Sequence, residues 1–118
     1  MDLKLNDKEP IYIQIIKFIK IQIVKGELKP GDVILSRREM AISINVNPNT
    51  VQKAYKEMES MRIINTIKNQ PSTITTDIEK ISSIRKELIN ESLQNFIEDM
   101  KLIDVKKEEI IKIIDEIY

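Results

Sequence analysis

Residues 46–59 read Val46-Asn47-Pro48-Asn49-Thr50-Val51-Gln52-Lys53-Ala54-Tyr55-Lys56-Glu57-Met58-Glu59, and they constrain the fold more than any other stretch. Proline fits a helix at its first position, where the missing N–H has no partner to lose, and asparagine before it is a favoured cap. A helix therefore starts at Pro48. Val51, Ala54, Tyr55 and Met58 recur at helical spacing and form one apolar stripe. The other face carries Asn49, Thr50, Gln52, Lys53 and Lys56, with hardly any acid. Such a helix rests its stripe on a core and turns amides, a hydroxyl and ammoniums outward, which suits a DNA groove.

The flanking segments supply that core. Pro10 opens a helix in which Tyr12, Ile15, Ile16, Ile19 and Ile23 keep helical spacing, and Gly26 stops it. Leu28-Lys29-Pro30-Gly31-Asp32 is a tight turn with two breakers, and Val33-Ile34-Leu35 fits a very short strand. Ser36-Arg37-Arg38-Glu39 has the capping-box pattern, in which the serine accepts from the glutamate N–H and the glutamate reaches back. The helix it opens runs through Ile44, with Met40, Ala41 and Ile44 inward, and Asn45-Val46 turns into the helix at Pro48. Helix, short turn, helix is a helix-turn-helix. Behind it Ile63, Ile64 and Ile67 fit one strand, residues 68–72 a turn, and Thr73-Ile74-Thr75-Thr76 a second strand. A hairpin in that position is a wing, so residues 1–76 are expected to form a winged helix-turn-helix domain.

From Asp77 the pattern changes. Ile78, Ile81, Ile84, Leu88, Leu93, Phe96, Ile97 and Met100 mark a long helix, residues 101–104 break it, and Ile110, Ile113, Ile114 and Ile117 mark another. Two amphipathic helices cannot bury so much apolar surface on each other. The remainder packs against a second copy of the chain or partly onto the winged domain, and residues 77–118 are expected to be a two-helix dimerisation region. Ile81, Ile84, Leu88, Leu93, Phe96, Ile97, Ile110, Ile113, Ile114 and Ile117 are its candidate contacts. The fold class is mainly α with a small β-wing.

Charge agrees with this division. The net charge is zero, yet residues 1–76 carry 12 Lys+Arg against 8 Asp+Glu, leaving +4, and residues 77–118 carry 7 against 11, leaving −4. A DNA-contacting part is the one that concentrates positive charge. The 25 isoleucines beside two glycines fit a well-buried helical core, although AT-rich coding produces the same bias. The chain has neither cysteine nor histidine, which excludes disulfides, thiolate sites, imidazole catalysis and the common zinc sites. No cofactor or metal is expected. Glu98-Asp99, Glu108-Glu109 and Asp115-Glu116 are adjacent acids without a nucleophile or a Gly-rich loop, and they read as solvated helix faces rather than an enzyme site. The opening Met1-Asp2-Leu3-Lys4-Leu5-Asn6-Asp7 has no basic run and apolar core, so no signal peptide is expected. No apolar run approaches the roughly 20 residues of a membrane span. A cytoplasmic chain without a membrane partner is the expectation.

Four blocks, Pro10-Ile11-Tyr12-Ile13-Gln14-Ile15, Gly26-Glu27-Leu28-Lys29-Pro30-Gly31-Asp32, Ser36-Arg37-Arg38-Glu39-Met40-Ala41 and Val46-Asn47-Pro48-Asn49-Thr50-Val51-Gln52-Lys53-Ala54-Tyr55, stand in order and near-ungapped spacing. Together they resemble the GntR family of bacterial transcription regulators over about residues 9–76. The short helical tail resembles the YtrA-like subfamily, in which about two helices serve dimerisation. The 42 residues after Thr76 are too few for the ligand-binding or aminotransferase-like domain of other subfamilies. The chain departs from the family pattern at three places. Leu35 replaces the usual proline before the second helix, Arg62 stands where glycine is frequent, and Asn69-Gln70-Pro71 replaces a Gly-x-Gly wing tip. Asparagine tolerates a left-handed backbone and proline does not, so the tip is expected to be stiffer or differently shaped.

The resemblance implies a dimer on double-stranded operator DNA, most often repressing its own and neighbouring genes, transporter genes among them. Phosphate contacts supply affinity and base-edge contacts supply choice. The N-terminal end of the helix from Pro48 enters the major groove, with Asn47, Pro48, Asn49, Thr50, Gln52 and Lys53 nearest DNA. Asn49 and Gln52 can pair bidentately with adenine, and the absence of arginine on this face leans toward A·T. Arg38 matches a family arginine that contacts DNA; Arg37, Lys68 and Asn69 complete the candidate set. The rival from another class is a protein-interaction adaptor with degraded DNA contacts, which a gel shift against the chain's own upstream region separates. Any small-molecule effector is open.

Overall fold

The computed structural model describes residues 3–118; Met1 and Asp2, with which the N-terminal stretch expected to be no signal peptide begins, lie outside the described residues. Seven elements follow in order: α1 (Ile11–Val24), α2 (Arg37–Ile44), α3 (Pro48–Ser60), β1 (Ile64–Asn65), β2 (Thr73–Ile74), α4 (Ile78–Leu102) and α5 (Lys107–Ile117). Packing divides them into two compact units, the first ending at Arg85 and the second spanning Lys86–Tyr118. The first unit thus extends past Thr76 to take in the start of α4.

The first unit is a winged helix-turn-helix. Its core is built where the apolar stripes meet, with α3 packed on α1 and α2. Ile15, Ile19, Met40, Val51, Ala54, Tyr55 and Met58 have no exposed surface. Burying a side chain such as valine, isoleucine or methionine stabilises the fold by about 1.5–3 kcal/mol each, so the α3 stripe alone fixes which face of that helix is left for solvent. Pro10 precedes α1 as its cap residue rather than opening its first turn. The capping box at α2 is complete: Glu39 N–H donates to Ser36 Oγ at 3.1 Å, and Ser36 N–H donates to Glu39 Oε1 at 2.9 Å. Those bonds hold the Glu39 carboxyl below its ordinary value, the Ser36 backbone N–H contributing most. A residue that no apolar pattern marks, Gln14, is also buried. Its Oε1 accepts from Asn6 N–H at 3.0 Å, and its Nε2 donates to the carbonyls of Asn6 and Glu9, which fastens the segment before α1.

The wing is shorter than the β-prone residues imply. β1 and β2 pair antiparallel with Ile64 opposite Ile74 and Asn65 opposite Thr73. Ile67 is not in the strand; the chain already turns there, Gln70 N–H donating to Ile67 O at 3.0 Å, and Ile67 is 61% exposed. Val33, expected in a short strand, contributes one bridge to Thr73, flanked by Ile34 N–H to Ser72 O and Ile74 N–H to Asp32 O. Arg62 and Asn69 have φ of 62° and 64°, the left-handed conformation that glycine adopts most readily.

In the second unit the later part of α4 and α5 line an apolar groove of about 360 Å³ with Leu93, Phe96, Met100, Val105, Ile110 and Ile114 among its walls. Asp104, at φ 57°, makes the turn between the helices. Much of the apolar surface stays open: Leu93 is 49% exposed, Ile113 43% and Ile117 76%. Ile84 differs from the other candidate dimer contacts, because a single chain already buries it completely. Among the described residues no helix is long and apolar enough to cross a membrane.

Candidate nucleic-acid interface

The geometry of α3 follows from its two ends and its stripe. Pro48 occupies the first turn, and Asn47 caps it by accepting the N–H of Asn49 on Oδ1 at 2.8 Å. Asn49, Gln52, Lys53 and Lys56 are exposed on the face opposite the buried stripe, while Thr50 is half-buried. The N-terminal end of the helix thus brings a run of amide and ammonium groups to the surface, at the pole where unpaired backbone N–H groups and the helix dipole favour anions. Lys53 Nζ lies 4.0 Å from the centroid of the Tyr12 ring, a cation–π contact that ties α3 to α1.

Arg38 is exposed on α2, which a helix-turn-helix lays across the sugar–phosphate backbone. Arg37 is placed otherwise. Its Nη2 pairs with Oε1 of Glu59 near the end of α3, its Cζ stands 5.1 Å from the centroid of the Tyr55 ring, and its Nε is buried without an acceptor. The guanidinium is engaged inside the first unit. Tyr55 itself is fully buried and donates its hydroxyl to Leu35 O at 2.6 Å. Burial pushes its phenol up to about 12, against a smaller opposing pull from Arg37.

Lys68 and Asn69 are exposed at the wing tip, and the left-handed Asn69 makes the bend. Residues 68–72 turn without any glycine. Below the tip, Thr66 Oγ1 donates to Glu59 Oε1 at 2.9 Å and lies 2.7 Å from Ser72 Oγ. Reading the residues in sequence missed Glu59, Thr66 and Ser72 altogether. No local signal marks them, since Arg37 and Glu59 stand 22 positions apart and meet only through the packing of α2 on α3.

Comparison with known proteins covers the stretch that holds these residues. The family model described as bacterial regulatory proteins, gntR family, matches residues 11–74. The chain is 39% identical over 112 residues to the HTH-type transcriptional regulator YhcF of Bacillus subtilis, covering 95% of this chain and 93% of that protein. It is 39% identical over 109 residues to the HTH-type transcriptional repressor YtrA of the same organism, covering 92% and 84%. Among solved structures, a GntR family transcriptional regulator from Listeria monocytogenes is similar with a TM-score of 0.91 at 35% identity, over 97% of this chain and all of that one.

Proposed function

Because the chain belongs to the GntR family of bacterial regulatory proteins and is a DNA-binding transcription regulator rather than an enzyme, we propose that it works as a dimeric repressor on an inverted-repeat operator. The observation that carries this reading is the open apolar surface of α4 and α5 in a chain with one reading head. One winged helix buries limited surface on DNA and seldom reaches operator affinity alone. A second copy covers the apolar faces and brings a second α3 to the next half-site, about 34 Å along the duplex. Residues 77–118 are then the dimerisation region and residues 1–76 the DNA-binding domain. The likeness to the transcriptional repressor YtrA supports repression, and the mode of action proposed for it is occupancy of a promoter, at the chain's own and neighbouring genes.

On the operator, Asn49 and Gln52 read base edges from the N-terminal turns of α3, with Thr50 and Lys53 beside them and the Asn47–Pro48 cap setting the approach. An A·T-leaning half-site follows from their amides. Arg38 holds a phosphate, and Lys68 and Asn69 reach the flanking groove. Binding-site selection followed by salt titration tests this. Arg38→Ala is expected to weaken binding and to lower the slope of log K against log salt by about one. An unchanged slope would remove Arg38 from the phosphate contacts, and a consensus made only of G·C would remove the adenine contacts.

A further inference from the structure

Three parts of the reading head converge on one carboxylate. Glu59, in the last turn of α3, accepts on the same oxygen from the Arg37 guanidinium at the start of α2 and from the Thr66 hydroxyl at the base of the wing. A hydroxyl has one proton to give, so with Thr66 donating to Glu59 the 2.7 Å contact with Ser72 must be a donation from Ser72 Oγ to Thr66 Oγ1. Ser72 is buried, and its carbonyl accepts the N–H of Ile34. A directed chain therefore runs from Ser72 to Thr66 to Glu59, and the carboxylate is closed on the other side by Arg37. The strands pair over only two residues each, and β2 is bridged on its other side by residues 32–34, so backbone bonds hold the base of the wing while the Glu59 chain links it by side chains to α3 and α2.

We infer that Glu59 is a positioning residue: its carboxylate fixes the wing against α2 and α3, so wing contact with DNA depends on a side chain that does not touch DNA. Arg37 belongs to this device and not to the phosphate contacts. Its guanidinium is paired with Glu59 and stands over the Tyr55 ring, although the side chain is 31% exposed, so it is this pairing that keeps it from a phosphate. The inference rests on the operator-binding reading above for its consequence, but not for its structural content.

The experiment uses the full chain on the operator obtained by selection, with hydroxyl-radical footprinting, salt titration and amide hydrogen exchange. Glu59→Gln keeps the shape and an acceptor but loses the charge; Thr66→Val removes the wing's donor; Arg37→Met removes the cation. Each is expected to lose protection of the flanking groove while keeping the α3 tract. Each is expected to raise Kd roughly tenfold and, because the lost wing contact includes Lys68, to lower the salt slope by about one, alike in all three variants. Intact flanking protection in Glu59→Gln and Thr66→Val would overturn the inference. So would a slope lowered by about one more in Arg37→Met than in Thr66→Val, which is the signature of a phosphate contact of Arg37's own. If the wild-type chain protects no sequence, the operator reading is what fails. Exchange in the free protein then decides on its own, because faster exchange of the Gln70 and Ile74 amides in Glu59→Gln supports the positioning role and unchanged exchange overturns it.

Discussion

Tyr55→Phe should make the protein less stable at neutral pH and more stable in alkali. The hydroxyl of Tyr55 is buried and donates to Leu35 O at 2.6 Å, so its removal costs about 1 kcal/mol near neutrality. The same burial pushes the phenol up to about 12 from an ordinary 10. A group that holds its proton more tightly when folded contributes fully below the unfolded value and loses that contribution as pH climbs to the folded one. Between about pH 10 and 12 the unfolded chain has released the proton and the native chain keeps it, so stability falls by roughly 1.4 kcal/mol per pH unit. At about pH 11.5 the wild type has lost about 2 kcal/mol that phenylalanine cannot lose, which outweighs the missing hydrogen bond. The two stability curves cross near pH 11 by this arithmetic. Urea unfolding at fixed protein concentration, followed by circular dichroism at about pH 8 and 11.5, measures both ends and cancels the lysines common to both proteins. A stability difference of the same sign and size at both ends would refute the reasoning, because it would mean that Tyr55 titrates alike in the folded and unfolded chains.

Two other outcomes follow from packing. Ile84→Ala should cost about 2–4 kcal/mol by cavity formation, measurable in the same unfolding assay, since Ile84 is fully buried in a single chain. Ile114→Glu places a charge on the half-open apolar face of α5 and should convert a dimer to monomers in sedimentation equilibrium while helix content is retained; an unshifted mass would place the dimer contact elsewhere.

Much of this molecule is legible from local chemistry. Ser36 and Glu39, Asn47 and Pro48 mark the starts of α2 and α3 because capping is decided within four residues, and the stripes of α1 and α3 follow from spacing alone. The wing is less legible. Ile67 looks like a strand residue by composition, but strand length depends on where the chain turns back, and the Ile67–Gln70 turn ends it early. Arg37 and Arg38 are neighbours with the same charge, and only the family resemblance of Arg38 sets them apart on paper. Which of them is engaged internally depends on Glu59 arriving from a helix 22 residues away, a fact that only tertiary packing supplies. Gln14 is similar, since an amide outside the apolar stripe gives no hint that it is buried and clasps Asn6 and Glu9.

On the operator reading proposed above, the resting place of Lys53 has a consequence for its part in that contact. Its ammonium is parked on the uncharged face of Tyr12 rather than on a carboxylate. A lysine drawn from a glutamate to a phosphate would leave an anion stranded beside the polyanion it had just met, and that repulsion would set part of its attraction at naught. Leaving an aromatic ring strands nothing, and the contact given up is worth only about 0.5–1 kcal/mol at an exposed site. In the proposed complex the side chain is thus held in order before DNA arrives and can be released without an electrostatic debt.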